Sequence, residues 1–467
     1  MSKKSNWLLK NTAIFAIGNI MTKAVQFFLM PLYTALLTTS EYGISELFNN
    51  TVELIMPIVT LSITEAVFRF SMDRDAKRTH LFSAGIAFTL FGIIITALFC
   101  LIANGFLGKY YPIWLFLPLL ASHSIRLLFA QYVRALEKVK EYAASGVLNS
   151  ISLVIFASIF LSLLDMGIEG YILSIIASNT VSLLFLLFFV NIREIVIDFK
   201  IDCQLMGEMI RYSAPLVPNT ISWWLTNTSS RYIVIAICGA SIGGLFSAAS
   251  KIPALMNVFV NTFQQAWVMS AIKEYEGNRD IGFQSRVFKM YSQFLYLISA
   301  IIIVALPLIC KFLLRGDFYQ AWKLVPLLMI SATIGGLASF FGAFYSAAKK
   351  NVMSMVSTLV GGITNVVLCI LLTKLMGVNG ALIASIASYL VITIIRIKTT
   401  YEYAPITFNV FFHFVNWSML IIESILITKV SGIYLLFPVI IALITCFYNR
   451  EILVLLLGSI KNKIISR

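Results

Sequence analysis

Lys23, Arg126, Arg231 and Lys251 each stand inside a long apolar run of this 467-residue chain. Lys23 lies about 16 Å along a helix beginning near residue 12, at a rise of about 1.5 Å per residue. That is near the middle of a bilayer. An ionisable side chain at such depth costs several kcal/mol unless it faces a bundle interior or a wet cavity, so it marks a functional site by default. Fixed cations in a low-dielectric cavity attract anions far more strongly than surface cations do. Lys23 and Lys251 must climb furthest to reach a headgroup. Arg126 and Arg231, each roughly 9 Å from a helix end, either line a cavity or snorkel to the interface.

The deep acids have two readings. Glu53 is either an ion-pair partner for Lys23 or a proton- or sodium-coupling carboxylate. Glu65 and Arg69 are four residues apart, the spacing of an intrahelical ion pair. Glu423, in a late apolar run, has no partner that the sequence identifies. Asn257, Asn261 and Gln264 recur at i, i+4 and i+7 and form one polar stripe, with Gln265 beside it. Amides donate and accept, which suits interhelical bonding or a wall that faces sugars. Pro31, Pro57, Pro215, Pro218 and Pro253 interrupt the first, second, seventh and eighth spans, where kinks would serve a moving bundle.

The elements that must position these groups are membrane spans. Apolar residues make up 59% of the chain and charged residues 12%, with a mean hydropathy of +0.90, far from the usual soluble profile of about 25% charged. Windows of roughly 20 apolar residues occur near 12–37, 42–68, 81–105, 112–133, 142–164, 169–192, 212–237, 242–270, 284–310, 322–348, 352–375, 379–398, 408–430 and 432–448. The expected fold is all-α, with about 14 transmembrane helices. It divides into a six-helix lobe over 1–192, a cytoplasmic linker over 193–211, a second six-helix lobe over 212–400, and two additional helices with a tail over 401–467. Both halves begin on the same side, so a repeat between them would be related by an axis along the membrane normal.

Net charge is +14, but the basic residues are spread over short loops instead of one soluble face, so no nucleic-acid partner is expected. Most of them fall on one side of the counted spans, which predicts cytoplasmic termini by the positive-inside rule. The six cysteines lack paired spacing, so neither a disulfide framework nor a metal site is expected. No Walker-type phosphate loop occurs, no cofactor is expected, and no large external loop carries catalytic acids. A membrane glycosyltransferase or polysaccharide polymerase is therefore the weaker reading.

LLKNTAIFAIGNIMTK, MPLYTALLTTSEYG, LSITEAVFRF and NTFQQAWV, in that order, resemble bacterial oligosaccharide flippases of the polysaccharide-synthesis family. That family lies within the multidrug, oligosaccharidyl-lipid and polysaccharide exporter superfamily. The likeness rests on the ordered set, with Lys23, Pro31, Tyr42, Gly43, Glu65 and Arg69 in place. It implies a non-enzymatic, two-lobed carrier in the bacterial inner membrane. Its cargo would be undecaprenyl-pyrophosphate-linked oligosaccharide for surface polysaccharide such as O-antigen or capsule. Membrane lipids and polysaccharide polymerase machinery would be its partners, and a cationic cavity would bind the donor; Lys23 stands at a family-like position for it, and Arg126, Arg231 and Lys251 are assigned to it by their depth. A cation-coupled drug antiporter of the same superfamily is the alternative, and would more naturally present carboxylates.

Overall fold

The structure, a computed structural model, describes residues 25, 27–72, 77–107, 113–191, 198–200, 202–276, 280–348, 350–429 and 436–451. Among them there is no strand, and the fold is all-α. Among the described residues nine helices are long and apolar enough to cross a membrane, or ten when one bent pair is taken as a single span. The count of 14 is not reached for identifiable reasons. Most of the first window lies outside the described residues, the fourth gives a helix, Phe116–Ala135, whose His123, Arg126, Gln131 and Arg134 leave it less apolar than the spans counted, the seventh is broken into short helices, and the last described helix has 13 residues.

The chain divides into two compact units, Met1–Trp224 and Leu225–Arg467. The division lies beyond the expected linker, inside the first helix assigned to the second lobe.

In the first unit, α1 (Met30–Leu36) has Pro31 in its first turn, where a missing N–H costs nothing. Thr38 and Glu41 close a capping box that starts α2 (Thr39–Val59), with Thr38 N donating to Glu41 Oε2 at 2.8 Å. Beyond Pro57 the span breaks. Leu61 and Ser62 take left-handed conformations (φ 45° and 52°), and α3 (Ile63–Ser71) leaves at 61° to α2. Each such non-glycine residue costs about 1–2 kcal/mol. Gly92 of α4 (Arg78–Leu107) makes room for the bend, since a Cβ there would lie 2.5 Å from the Val59 carbonyl oxygen.

The rest of the unit is α5 (Phe116–Ala135), α6 (Val139–Ala157, continued by a π-helical turn over Ser158–Leu163), α7 (Gly167–Leu187) and α8 (Cys203–Ser213). Ile63, Val67, Phe82, Leu128, Val133 and Met209 form a core that ties α3, α4, α5 and α8 together. The region expected as a linker thus contains a helix packed on this unit. Asp202 caps it by accepting from Gln204 N and Leu205 N.

α9 (Leu216–Asn227) crosses the division. The second unit continues with α10 (Ser229–Cys238), α11 (Ala240–Ala249), α12 (Lys251–Glu276), α13 (Ile281–Leu313), α14 (Val325–Ala347), α15 (Asn351–Met376), α16 (Val378–Thr400), α17 (Val410–Lys429) and α18 (Leu436–Tyr448). Trp267 of α12 stacks on Phe340 of α14 with ring centroids 4.5 Å apart, and its indole donates to the Phe340 carbonyl. The prolines mark breaks as the sequence suggests. α9 begins between Pro215 and Pro218, and the eighth span is interrupted at Ser250, just before Pro253.

Candidate functional site

Helices α5, α6 and α7 form a wall in the first unit, and one hydrogen-bonded chain of polar side chains crosses all three. Arg126 Nε on α5 donates to Asn179 Oδ1 on α7 at 2.9 Å. Asn149 Nδ2 on α6 donates to the same oxygen at 3.2 Å and to Ser178 Oγ at 3.4 Å. Asn179 Nδ2 in turn reaches Ser122 Oγ at 3.5 Å. Asn179 is 3% exposed, so its carbonyl is a fixed acceptor that holds the guanidinium through a single nitrogen. Among the described residues the two outer nitrogens of Arg126 have no hydrogen-bond partner, and Arg126 as a whole is only half-buried. Among the described residues no carboxylate lies within ion-pair distance of it.

A second arginine shows what a purely structural one looks like. Arg396 of α16 is 2% exposed. Its Nε donates to Ser357 Oγ at 3.1 Å, its Nη1 to the Ala338 carbonyl at 2.9 Å, and its Nη2 to Thr358 Oγ1 at 3.0 Å. Gly342 makes space for it, since a Cβ there would lie 2.8 Å from Nη1. All three nitrogens are used, binding α14, α15 and α16 together. From the sequence, Arg396 reads as one of the basic residues on the cytoplasmic side, whereas its side chain is an interhelical rivet. Arg126 is tethered but not consumed. A guanidinium so presented is a planar fork that matches phosphate oxygens two at a time.

The other expected site residues are dispersed. Lys23 lies outside the described residues. Arg231, the third residue of α10, and Lys251, the first of α12, are both half-buried. Glu53 is on the exposed side of α2, and Glu65 and Arg69 are on the exposed side of α3, where no ion pair joins those two. The amide stripe divides. Asn257 and Asn261 are exposed, while Gln264 Nε2 donates to the Ser339 carbonyl at 2.8 Å and so serves to hold α12 to α14.

Two groups escaped the sequence reading. Asn149 and Asn179 are single amides in apolar runs, and their only signal was the cost of burying an amide without a partner. Glu46 on α2 is 3% exposed and accepts from Tyr171 OH at 2.8 Å and from Tyr42 OH at 3.3 Å. The rings of Tyr33, Tyr42 and Tyr171 pack around one another at 4.9–6.2 Å. Glu53, seven residues further along, carries the stronger signal in the sequence because it lies nearer mid-span.

A family model described as "Polysaccharide biosynthesis protein" matches residues 8–270. No curated protein matches the chain. Among solved structures, the lipid II flippase MurJ in an inward closed conformation is similar with a TM-score of 0.68, at 13% identity, over 95% of this chain and 99% of that one. An inward-facing multidrug resistance MATE transporter of the MOP superfamily gives a TM-score of 0.64 at 14% identity, over 89% of this chain and 96% of that one. A MOP superfamily transporter from Pyrococcus furiosus gives 0.60 at 15%, over 85% and 97%. Likenesses at such identity establish the fold.

Proposed function

This chain belongs to the polysaccharide biosynthesis protein family, and from that premise we propose that it is a flippase for undecaprenyl-pyrophosphate-linked oligosaccharide in the bacterial inner membrane. The fold is that of MOP transporters, so the substrate must be argued from the side chains. The observation that carries it is Arg126, held by Asn179 through Nε with neither outer nitrogen hydrogen-bonded among the described residues. A pyrophosphate is the costly anionic part of such a donor to move through hydrocarbon, and a guanidinium fork in a partly desolvated wall offsets that cost. Lys23 is the second cation assigned to this ligand in the first unit. Arg231 and Lys251 are the corresponding candidates in the second. Asn257 and Asn261, both exposed, are the amides left available to sugar hydroxyls, whereas Gln264 has its Nε2 bound to the Ser339 carbonyl and its Oε1 buried.

An exporter of organic cations would call for an acid in place of Arg126, so the drug-antiporter reading is the less favoured. Both termini are placed in the cytoplasm by the basic loops. The test is made in cells. Removing the chain should leave lipid-linked oligosaccharide accumulated on the cytoplasmic side with surface polysaccharide lost, and Arg126→Ala should reproduce this at normal abundance. Accumulation of translocated but unlinked units would point to a polymerase instead. Cysteines placed at Lys77, Lys138 or Lys350 should resist a membrane-impermeant reagent in intact cells, and their labelling would overturn the orientation.

A further inference from the structure

Glu423 lies about 9 Å from the Lys429 end of α17 and about 20 Å from its Val410 end, at 1.5 Å per residue. It is 0% exposed, enclosed where α13, α14 and α18 pack on α17. Both carboxyl oxygens are buried, and neither receives a hydrogen bond among the described residues. Several polar groups on these helices are engaged elsewhere, while Trp417 Nε1 on α17 is buried without a partner among the described residues. His413 Nδ1 pairs with Tyr296 OH at 2.7 Å, Asn449 Nδ2 donates to Asn416 Oδ1 at 2.6 Å, and Ser424 and Thr445 donate to carbonyls one turn back on their own helices. Among the titratable groups of the packed helices, Cys446 of α18 is in electrostatic contact with Glu423. Tyr291 and Lys289 of α13 and Tyr345 of α14 have other partners. No lysine, arginine or histidine lies within ion-pair distance among the described residues.

A carboxylate without donors or a counter-ion is the least tolerable group to enclose in a membrane bundle, because desolvation is uncompensated. A carboxyl that carries its proton is neutral and fits. His413, Asn416, Leu420 and Glu423 follow at spacings of three and four along one buried face of α17. His413 and Asn416 are thus the hydrogen-bonding groups on the Val410 side of this face, and apolar Leu420 separates them from the acid.

We propose that Glu423 is an intramembrane proton-binding site that links translocation to proton movement. In the packed arrangement the carboxyl holds its proton. When the cycle admits water to the oxygens, the O–H bond breaks heterolytically, the electron pair stays on the carboxylate, and the proton passes to water. No oxidant or second reactant is involved. The proton site stands on the geometry of α17, and the link to translocation rests on the transport reading given above.

The experiment uses the purified full chain in liposomes, with infrared difference spectra recorded as pH is raised and as undecaprenyl-pyrophosphate oligosaccharide is added, alongside translocation measured across a pH series. The expected result is a protonated-carboxyl C=O band that diminishes in both conditions, is absent from Glu423→Gln, and is displaced but retained in Glu423→Asp. Glu423→Gln should also lose the pH dependence of translocation. Identical spectra from wild type and Glu423→Gln would overturn the site. A Glu423→Gln protein with an unchanged pH profile would overturn the link and leave only a packing role. If the wild type fails to translocate while the band still titrates, the transport reading falls and the proton site stands.

Discussion

Replacing Arg126 with alanine removes the two outer guanidinium nitrogens that the structure leaves unengaged, and one internal hydrogen bond, at 2.9 Å to Asn179. If each outer nitrogen donates one bond to a phosphate oxygen, the loss is about 3–6 kcal/mol from two charge-assisted bonds of about 1.5–3 each. Because Arg126 is half-buried, water competes for those donors, and the lower end applies. This corresponds to roughly a hundredfold weaker binding, at about 1.4 kcal/mol per tenfold. The assay is equilibrium titration of undecaprenyl pyrophosphate onto the purified full chain, with the thermal midpoint measured in parallel. Arg126→Lys keeps the charge and loses the fork, and should fall between alanine and wild type. Asn179→Leu keeps the arginine but frees it, and should weaken pyrophosphate binding while leaving uncharged ligands untouched. Affinity in Arg126→Ala equal to that of the wild type, with an unchanged midpoint, would refute the assignment.

Arg396→Met should do the opposite of Arg126→Ala. It leaves Ser357, Thr358 and the Ala338 carbonyl without their donors, so thermal stability should fall by about 3 kcal/mol or more while affinity per folded molecule holds. Gly92→Ala should destabilise by about 1–3 kcal/mol, because the new methyl meets the Val59 carbonyl oxygen at 2.5 Å and must reset the bend after α2; a denaturation curve like the wild type's would refute that packing. Asp198 lies outside the membrane spans, and hydrogen bonds from Thr79 at 2.6 Å and with His80 at 3.2 Å, at the start of α4, hold its carboxyl below its ordinary range. A depressed carboxyl stabilises above its ordinary value and ceases to as pH falls through the depressed one. The link from residue 198 to the start of α4 should therefore be intact at neutral pH, begin to weaken below about pH 4, and be lost as pH falls through the depressed value. Hydrogen exchange at Thr79 and His80 reads that loss, and Asp198→Asn should show it at neutral pH already.

The membrane class, the all-α fold and the breaks at Pro57, Pro215, Pro218 and Pro253 were legible because hydropathy and proline act locally. The sharp turn after α2 was not, since it depends on Leu61 and Ser62 adopting left-handed backbone against Gly92, a contact between distant residues. Depth along a helix identified Arg126, but depth alone could not separate it from Arg231, because what distinguishes an arginine is its partners. Those partners, Asn149 and Asn179, come from two other helices and carry no motif. The same limit explains Arg396, which its position near a helix end assigns to the interface although its side chain runs inward. Glu65 and Arg69 have the right spacing for a pair, yet both lie on the exposed side of a helix of nine residues, where such pairing contributes little.

The most direct measurement is translocation itself, with the purified chain in liposomes that carry undecaprenyl-pyrophosphate oligosaccharide labelled on one leaflet. Transfer to the opposite leaflet should require the protein, fail with Arg126→Ala, and recover in part with Arg126→Lys. Transfer that proceeds equally well with Arg126→Ala, or that never exceeds the rate of protein-free liposomes, would contradict the account.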